Sequence, residues 1–382
     1  MNHTKLIPLL GAMAFAIAGN AVAAEQIVKI GHVAPISGGI AHIGKDVENG
    51  VRMAIEEQNA KNIVIGGNKI QFILLAEDDA GDPRQATTVA QKLVDAKVNG
   101  VIGHLNSGTT IPASRIYHDA GIPQISPAAT NPKYTQQGYN TTFRVVANDS
   151  QLGGALGRYA TTVLKAKNFA VIDDRTAYGQ GLASEFIKSV KKQSARANIV
   201  SQQYTTDKAT DFNAILTAIK DKNPDAIFFG GLDSVAGPML RQMKQLGIHA
   251  KFIGGDAICT SEIVKLAGDA LGEGQVYCAE AGGVVEANKK SLDNFKTAYK
   301  KKFNIEVQIY SPYSYDATNA MIAAMQQAKS VEPAKYLPFL AKINYTGVSG
   351  IIAFDTKGDI KNGALTIYTY KDDKRTQVTV TK

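Results

Sequence analysis

Short apolar runs and longer amphipathic stretches alternate along most of this chain. Residues 27–33 (Ile-Val-Lys-Ile-Gly-His-Val), 69–75, 99–103 and 123–126 read as strands. Between them, residues 46–61 set Val47, Val51, Met53, Ala54 and Ile55 near one face of a helix. Asp82-Pro83 opens the next helix, Asp as N-cap and Pro at the first helical position, and 108–119 predicts a third. The rhythm restarts after Asn148: helices over 151–165, 179–192, 211–222 and 234–247 alternate with strands over 169–173, 199–204, 226–229 and 252–254. This alternation predicts parallel sheets with helices on both faces, and two successive runs predict two similar α/β lobes. After about Gly282 the order changes: long helices near 288–303 and 317–329 precede short strands at 350–353 and 364–368.

Two of the strand ends draw attention. Val101-Ile-Gly-His-Leu-Asn-Ser107 and Ile125-Ser-Pro-Ala-Ala-Thr130 each begin apolar and break into small polar residues. Ligands of open α/β sheets bind at strand ends, and helix N-termini there offer N–H groups and a positive dipole end to an anion. Ser107 and Thr130 therefore suit a small carboxylate.

The first residues read as a secretory signal: Lys5, an apolar run from Leu6 to Gly19, and a small-residue cleavage site at Ala21-Val22-Ala23. The run is too short to span a membrane. Export to the periplasm follows, with residues 1–24 removed. The chain of 382 residues is 45% hydrophobic and 20% charged, enough to bury a core for two lobes. Trp is absent, which argues against a sugar site built on stacked indoles. The formal charge of +8 is scattered; its densest run, Lys300-Lys301-Lys302, alternates with Phe295, Tyr299 and Phe303 as a solvated helix face does. Nothing resembles a nucleic-acid stripe.

Cys259 and Cys278 are the chain's two cysteines. In an exported chain an even count favours a disulfide, with two buried thiols as the other reading. The histidines and cysteines have no metal-ligand spacing, so neither metal nor cofactor is expected. Gly39-Ile-Ala-His-Ile-Gly44-Lys45 matches seven positions of a phosphate loop, but Asp46 stands where Ser or Thr would bind Mg²⁺ and its charge would repel phosphate. A ligand-contacting turn before the first helix is the better reading, with Asp46 at the helix start. Gly179-Gln-Gly181-Leu-Ala-Ser184 is a weak dinucleotide fingerprint that lacks its third Gly. No Gly-x-Ser-x-Gly elbow occurs. His32, His42, His104, His118 and His249 lack a carboxylate, Ser or Cys partner at a catalytic spacing, so they read as ordinary histidines and the chain as no enzyme.

Across nearly the whole mature chain the sequence resembles the periplasmic leucine/isoleucine/valine-binding proteins, solute receptors of ABC importers. The likeness rests on Asp78-Asp79-Ala80 with Asp82-Pro83, His104-Leu105 with Ser107, and Pro112-Ala-Ser114 with Ile116-Tyr117. Pro127-Ala-Ala-Thr130, Tyr178-Gly-x-Gly181 and Phe354-Asp-x-Lys-Gly-Asp359 complete it. The resemblance implies a type I periplasmic binding fold whose lobes are joined by three crossovers. Lobe one would hold residues 25–146 and 282–349, lobe two residues 147–281 and 350–382. It also implies a site in which Ser107 and Thr130 take an α-carboxylate through hydroxyls and backbone N–H groups, with Ala129 among the ligand-binding residues. The Ala128 carbonyl, the Thr130 hydroxyl and Asp256 would take the α-ammonium, Asp256 standing where the family often has Glu. Ile43, Leu232, Tyr178 and Tyr310 would line the side-chain pocket. Ile43 and Leu232 are aliphatic where well-known members carry aromatics, and Gly81 and Asn106 replace a Cys pair of those members.

The function so implied is capture of a branched-chain or similar apolar amino acid by a monomer that delivers it to an inner-membrane permease. A receptor for an amide or other polar solute, or a sensor, is the alternative. A secreted hydrolase fits poorly without a nucleophile elbow.

Overall fold

The computed structural model describes residues 24–282 and 286–381. The signal segment lies outside them apart from Ala24. The first run folds as β1 (Glu25–Ala34), α1 (Ala41–Ala60), β2 (Val64–Ile65), β3 (Asn68–Asp78), α2 (Pro83–Asp95), β4 (Gly100–Gly103), α3 (Ser107–Asp119), β5 (Gln124–Ser126) and β6 (Thr142–Arg144). These strands form one sheet in the order β2-β3-β1-β4-β5-β6, parallel except for β2. Successive side chains of a strand face opposite ways. Val28 and Ile30 of β1 accordingly join Val47, Val51 and Ile55 of α1, while Val33 joins Val89 and Leu93 of α2 and Tyr117 of α3. Both faces are thus covered, as a parallel sheet requires.

The second run is α4 (Asp149–Thr162), β7 (Asn168–Asp173), α5 (Ala177–Gln193), β8 (Asn198–Tyr204), α6 (Asn213–Lys220), β9 (Ala226–Gly230), α7 (Asp233–Gln245), β10 (Lys251–Gly254), α8 (Glu262–Ala267) and β11 (Val276–Glu280). Then come α9 (Glu286–Phe303), α10 (Ser311–Ala328), α11 (Pro333–Leu340), the short pair β12 (Tyr345–Thr346) and β13 (Ile351–Ile352), and the hairpin β14 (Leu365–Lys371) and β15 (Lys374–Thr381). The second sheet has the order β15-β14-β11-β10-β9-β7-β8. Its centre is apolar on both faces, with the Phe186 ring of α5 stacked 4.0 Å from Phe228 of β9.

The chain passes between the sheets three times. Residues 145–148 lead from β6 to α4. After β11 the chain returns to the first sheet, where α10 lies along α1 and Ser314 Oγ donates to the Val47 carbonyl at 2.8 Å. Residues 353–364 lead back to β14. The passages run together: Ala147 N donates to Ala281 O at 3.1 Å, and Thr366 Oγ1 to Gly282 O at 3.1 Å.

Several elements differ from the pattern reading. The first helix begins at Ala41, not at residue 46, so the Gly39–Gly44 segment is mostly helix and Asp46 lies inside it. There Asp46 is fully buried and accepts the backbone N–H groups of Gln308, Ile309, Tyr310 and Ser311 at 2.8–3.1 Å. It ties the returning chain to α1 and does not serve the start of its own helix. The helix read at 317–329 starts at Ser311, with Pro312 in the first turn. The helix read at 151–165 starts at Asp149, capped reciprocally by Asn148 and Gln151. Strand β15 carries no apolar run, because its sequence is largely polar, as befits a sheet edge.

Cys259, just past β10, is disulfide-bonded to Cys278 of β11, with Cα atoms 5.4 Å apart and both residues buried. The bridge closes a loop with a sequence separation of 19. Substituting both cysteines by Ser is expected to lower the unfolding free energy by about 3 kcal/mol, the loop-closure value for a ring of that size. Urea titration of the oxidised protein and the variant measures it. Coincident midpoints would mean that packing alone holds this segment.

Candidate functional site

The loops at the C-terminal strand ends of the two sheets meet: Asn131 Nδ2 donates to the Ala177 carbonyl at 2.6 Å, and His42 Nε2 lies 2.8 Å from Asp233 Oδ2. From the first sheet come the turn β1–α1, the start of α3 after β4, and residues 127–131 after β5. From the second come the starts of α5 and α7 and the turn after β10. Such a convergence at strand ends is where open α/β sheets bind ligands.

The start of α3 carries no side-chain cap: Ser107 is the helix's first residue, and the N-cap Asn106 makes no side-chain capping bond. The first N–H groups of α3 are therefore not taken by a cap, unlike those of α2, α4 and α5, which Asp82, Asn148 and Thr176 cap. A buried chain of polar contacts sets the approach to Ser107. His104 Nδ1 lies 2.8 Å from Asp79 Oδ2 and its Nε2 3.1 Å from Tyr117 Oη, all three residues at 0% exposure. Folding thus supplies His104 with the carboxylate partner that sequence spacing did not indicate. It likewise brings Asp233 to His42.

Thr130 sits opposite Ser107. Ser126 Oγ accepts Ala129 N at 3.0 Å and donates to the His104 carbonyl at 2.9 Å, and Ser107 Oγ accepts Asn131 N at 3.2 Å. Arg144 clamps this turn from behind. Fully buried, it donates from Nη1 to the Ala129 and Asn131 carbonyls at 3.0 and 2.9 Å, and from Nε to Asp359 at 3.0 Å. Asp82 and Asp359, part of the motifs noted above, are thus structural.

Across the cleft, Asp256 is fully buried in a single 3₁₀ turn after β10. Tyr178 Oη donates to its Oδ1 and Tyr310 Oη to its Oδ2, each at 2.7 Å. Burial raises the Asp256 pKa, against the two phenol hydrogen bonds that favour its charge. Burial and the Asp256 charge hold both phenols well above their ordinary pKa, so they stay donors. Asp256 therefore caps no helix. The glycines of Tyr178-Gly-x-Gly181 have a steric reason: a Cβ on Gly179 would lie 2.4 Å from the Gly230 carbonyl, and one on Gly181 2.6 Å from Asn131 Nδ2. Their absence of side chains lets α5 meet both β9 and the first lobe, where Asn131 Nδ2 donates to the Ala177 carbonyl.

Sequence reasoning missed two residues here, Arg144 and Asp149. An Arg inside Phe143-Arg-Val-Val-Ala147 was the signal for the first. Asp149 is fully buried at the start of α4, its N–H on the Thr130 carbonyl at 2.8 Å. Neither its carboxylate oxygens nor Thr130 Oγ1 has a hydrogen bond of good geometry. Burial pushes Asp149 up to about 8, opposed by the adjacent Thr130 hydroxyl and reinforced by Asp256. Ser107, Thr130, Asp149 and Asp256 are all buried, at most 1% exposed. Ile43, Leu232, Tyr178 and Tyr310 are at most 7% exposed, and Ala128 and Ala129 at most 5%. A surface cavity of about 630 Å³ near Phe143, Phe354 and Lys357 lies apart from this group.

The sequence and fold match known proteins. A family model described as periplasmic binding protein covers residues 27–375. A leucine-, isoleucine-, valine-, threonine-, and alanine-binding protein of Pseudomonas aeruginosa is 34% identical over 375 residues, 98% of each chain. Leu/Ile/Val-binding protein homolog 1 of Brucella abortus is 35% identical over 354 residues, 92% of each chain. Among solved structures, the leucine binding protein LivK of Thermotoga maritima has a TM-score of 0.83 at 27% identity, covering 92% of this chain and 98% of its own. LivJ of Streptococcus pneumoniae, a branched-chain amino acid transporter substrate-binding protein in complex with isoleucine, has a TM-score of 0.81 at 27% identity, covering 92% and 99%.

Arg144→Met is expected to lower stability by about 3–5 kcal/mol, because it strands Asp359 and two carbonyls that the guanidinium serves. Urea unfolding measures this. A loss below about 0.5 kcal/mol, the range of an ordinary surface change, would show that the network is dispensable.

Proposed function

The chain belongs to the periplasmic binding protein family, and we propose that it is the solute receptor of an ABC importer, closing over a branched-chain or similar apolar amino acid. It acts in the periplasm as a monomer, makes and breaks no bond, needs no cofactor, and hands its ligand to an inner-membrane permease. We take residues 25–146 with 282–349 as one lobe and 147–281 with 350–382 as the other. The observation that carries the reading is an uncapped helix start, at Ser107, together with two buried carboxylates, Asp149 and Asp256. One end suits an anion and the other a cation, as an amino-acid backbone demands. The relatives' names point the same way.

In this reading the ligand carboxylate lies against the α3 N–H groups, Ser107, Ala129 and Thr130, where the helix dipole favours it. The ammonium meets the Thr130 hydroxyl, the Ala128 carbonyl, Asp256 and Asp149. An ammonium brought between carboxylates that burial has penalised restores their ionised forms, and charge-assisted hydrogen bonds away from water are strong. The aliphatic Ile43 and Leu232, with the rings of Tyr178 and Tyr310, surround the side chain. Closure follows from differential binding: only the closed form lets both lobes hold one ligand.

Calorimetric titration of ligand-stripped protein with the twenty amino acids tests the reading, with binding expected for leucine, isoleucine or valine. Uniform silence would favour a receptor for an amide or another polar solute. Leucinamide and 4-methylpentanoate, which lack one charge each, are expected to bind at least about a hundredfold more weakly than leucine, roughly 2.7 kcal/mol. An amide that binds as well as the acid would mean that the carboxylate end is misassigned. Asp256→Ala and Asp149→Asn are each expected to weaken leucine binding at least about tenfold. They should leave 4-methylpentanoate little affected, because that analogue carries no ammonium. An unchanged leucine affinity removes the residue concerned from the ammonium site.

A further inference from the structure

We propose that His42 and Asp233 form an ion-pair latch between the lobes, so that closure over the ligand takes up a proton. His42 stands in the first turn of α1, in the first lobe, and Asp233 is the first residue of α7, in the second. His42 Nε2 lies 2.8 Å from Asp233 Oδ2. Each is the sequence neighbour of a pocket residue, Ile43 or Leu232, so the pair sits beside the side-chain end of the cleft. The Asp233 side chain is 0% exposed; Thr260 Oγ1 donates to its Oδ2, and its Oδ1 has no partner. A neighbouring contact also joins the lobes: Ser261 Oγ donates to Gln308 Oε1 at 2.7 Å.

Separating the lobes removes His42 from Asp233 and gives that carboxylate water instead. Closing them strips the water away, which is costly for a charge left unpaired. A protonated imidazole offsets that cost. The charged groups that act most strongly on His42 are acidic: Asp233 from α7, Glu262 from α8 and Asp46 from its own helix. Lys45 is turned to Glu48. Burial alone would discharge the imidazole, but the Asp233 hydrogen bond and charge, with Glu262 and Asp46, outweigh it and raise the His42 pKa. A basic group with a higher pKa in the closed form stabilises closure fully below its open-form pKa. The gain is lost as pH rises through the closed-form value.

The latch rests on the cleft being the amino-acid site, so binding of leucine to wild-type protein at neutral pH is the control that separates the two ideas. Calorimetry from about pH 5.5 to about pH 8.5, across the imidazole range, is expected to give a Kd that rises about tenfold in wild type. His42→Gln, which keeps a donor but cannot charge, should lack this rise. Titration of Asp149 and Asp256 is common to both proteins and cancels in the comparison. Repeating the neutral-pH titration in buffers of different ionisation enthalpy should show more proton uptake in wild type than in the variant. Should the variant misfold, NMR titration of wild-type His42 replaces it, and leucine should raise the imidazole pKa. Equal pH profiles and proton counts, or a His42 pKa that leucine leaves unchanged, overturn the latch. Failure of wild type to bind any amino acid overturns the receptor reading and the latch with it.

Discussion

Arg144 carries its guanidinium fully out of water at the end of β6, and its donors go to two other chain segments that must meet there, residues 129–135 and Asp359. The turn bearing Thr130 receives two of them, through the Ala129 and Asn131 carbonyls. Asp359, on the passage leading to β14, receives others and also accepts from Thr135 Oγ1 and from Asn148, the cap of α4. A guanidinium has five donors and no way to discharge, so its burial is tolerable only when all these acceptors are in place together. The position of Thr130, the start of α4 with Asp149, and the path between the lobes are thereby fixed by one network whose members are worth more jointly than singly.

How far sequence alone reaches follows the same line. Elements with a strong period were legible, since burial on both faces of a parallel sheet leaves continuous apolar runs at β4, β7, β9 and β10. The start of α3 and the turn after β5 were legible as chain breaks because small polar residues directly follow such runs. Asp46 was read for its neighbours in sequence, whereas its partners are the N–H groups of residues 308–311, which only the returning chain brings near. Asp149 reads as an ordinary residue of a first helical turn, and nothing local reveals that α5 and the first lobe will enclose it. The His42–Asp233 pair spans 191 positions. Periodicity reports which face of an element is dry; it does not report which distant element makes it so.

The cleft's two ends differ in kind. In the proposed site the carboxylate end consists of backbone N–H groups and hydroxyls on the first lobe, dipoles whose orientation is set by strand ends and by the Asp79–His104–Tyr117 chain. The proposed ammonium end takes carboxyl groups from the second lobe, Asp256 and Asp149, with two phenols holding the first in place. Tyr310 belongs to the first lobe yet bonds Asp256 of the second, and its position depends on Asp46 accepting its own N–H. A buried residue of α1 thus acts on the far side of the site through one tyrosine.

The three passages between the sheets have a mechanical consequence. Two bodies tethered at one point can swivel and twist freely. Tethered along a line by neighbouring segments, here through Ala147, Ala281 and Thr366 with Gly282, they retain little besides rotation about that line. In a rotation about such an axis, groups next to it, Asn148 and Arg144 among them, would hardly move, while points further out would sweep wide arcs. The opening and closing proposed above would then reduce to a single angular coordinate. A membrane partner that touched both lobes at once could read that coordinate as a distance, without sensing the ligand itself.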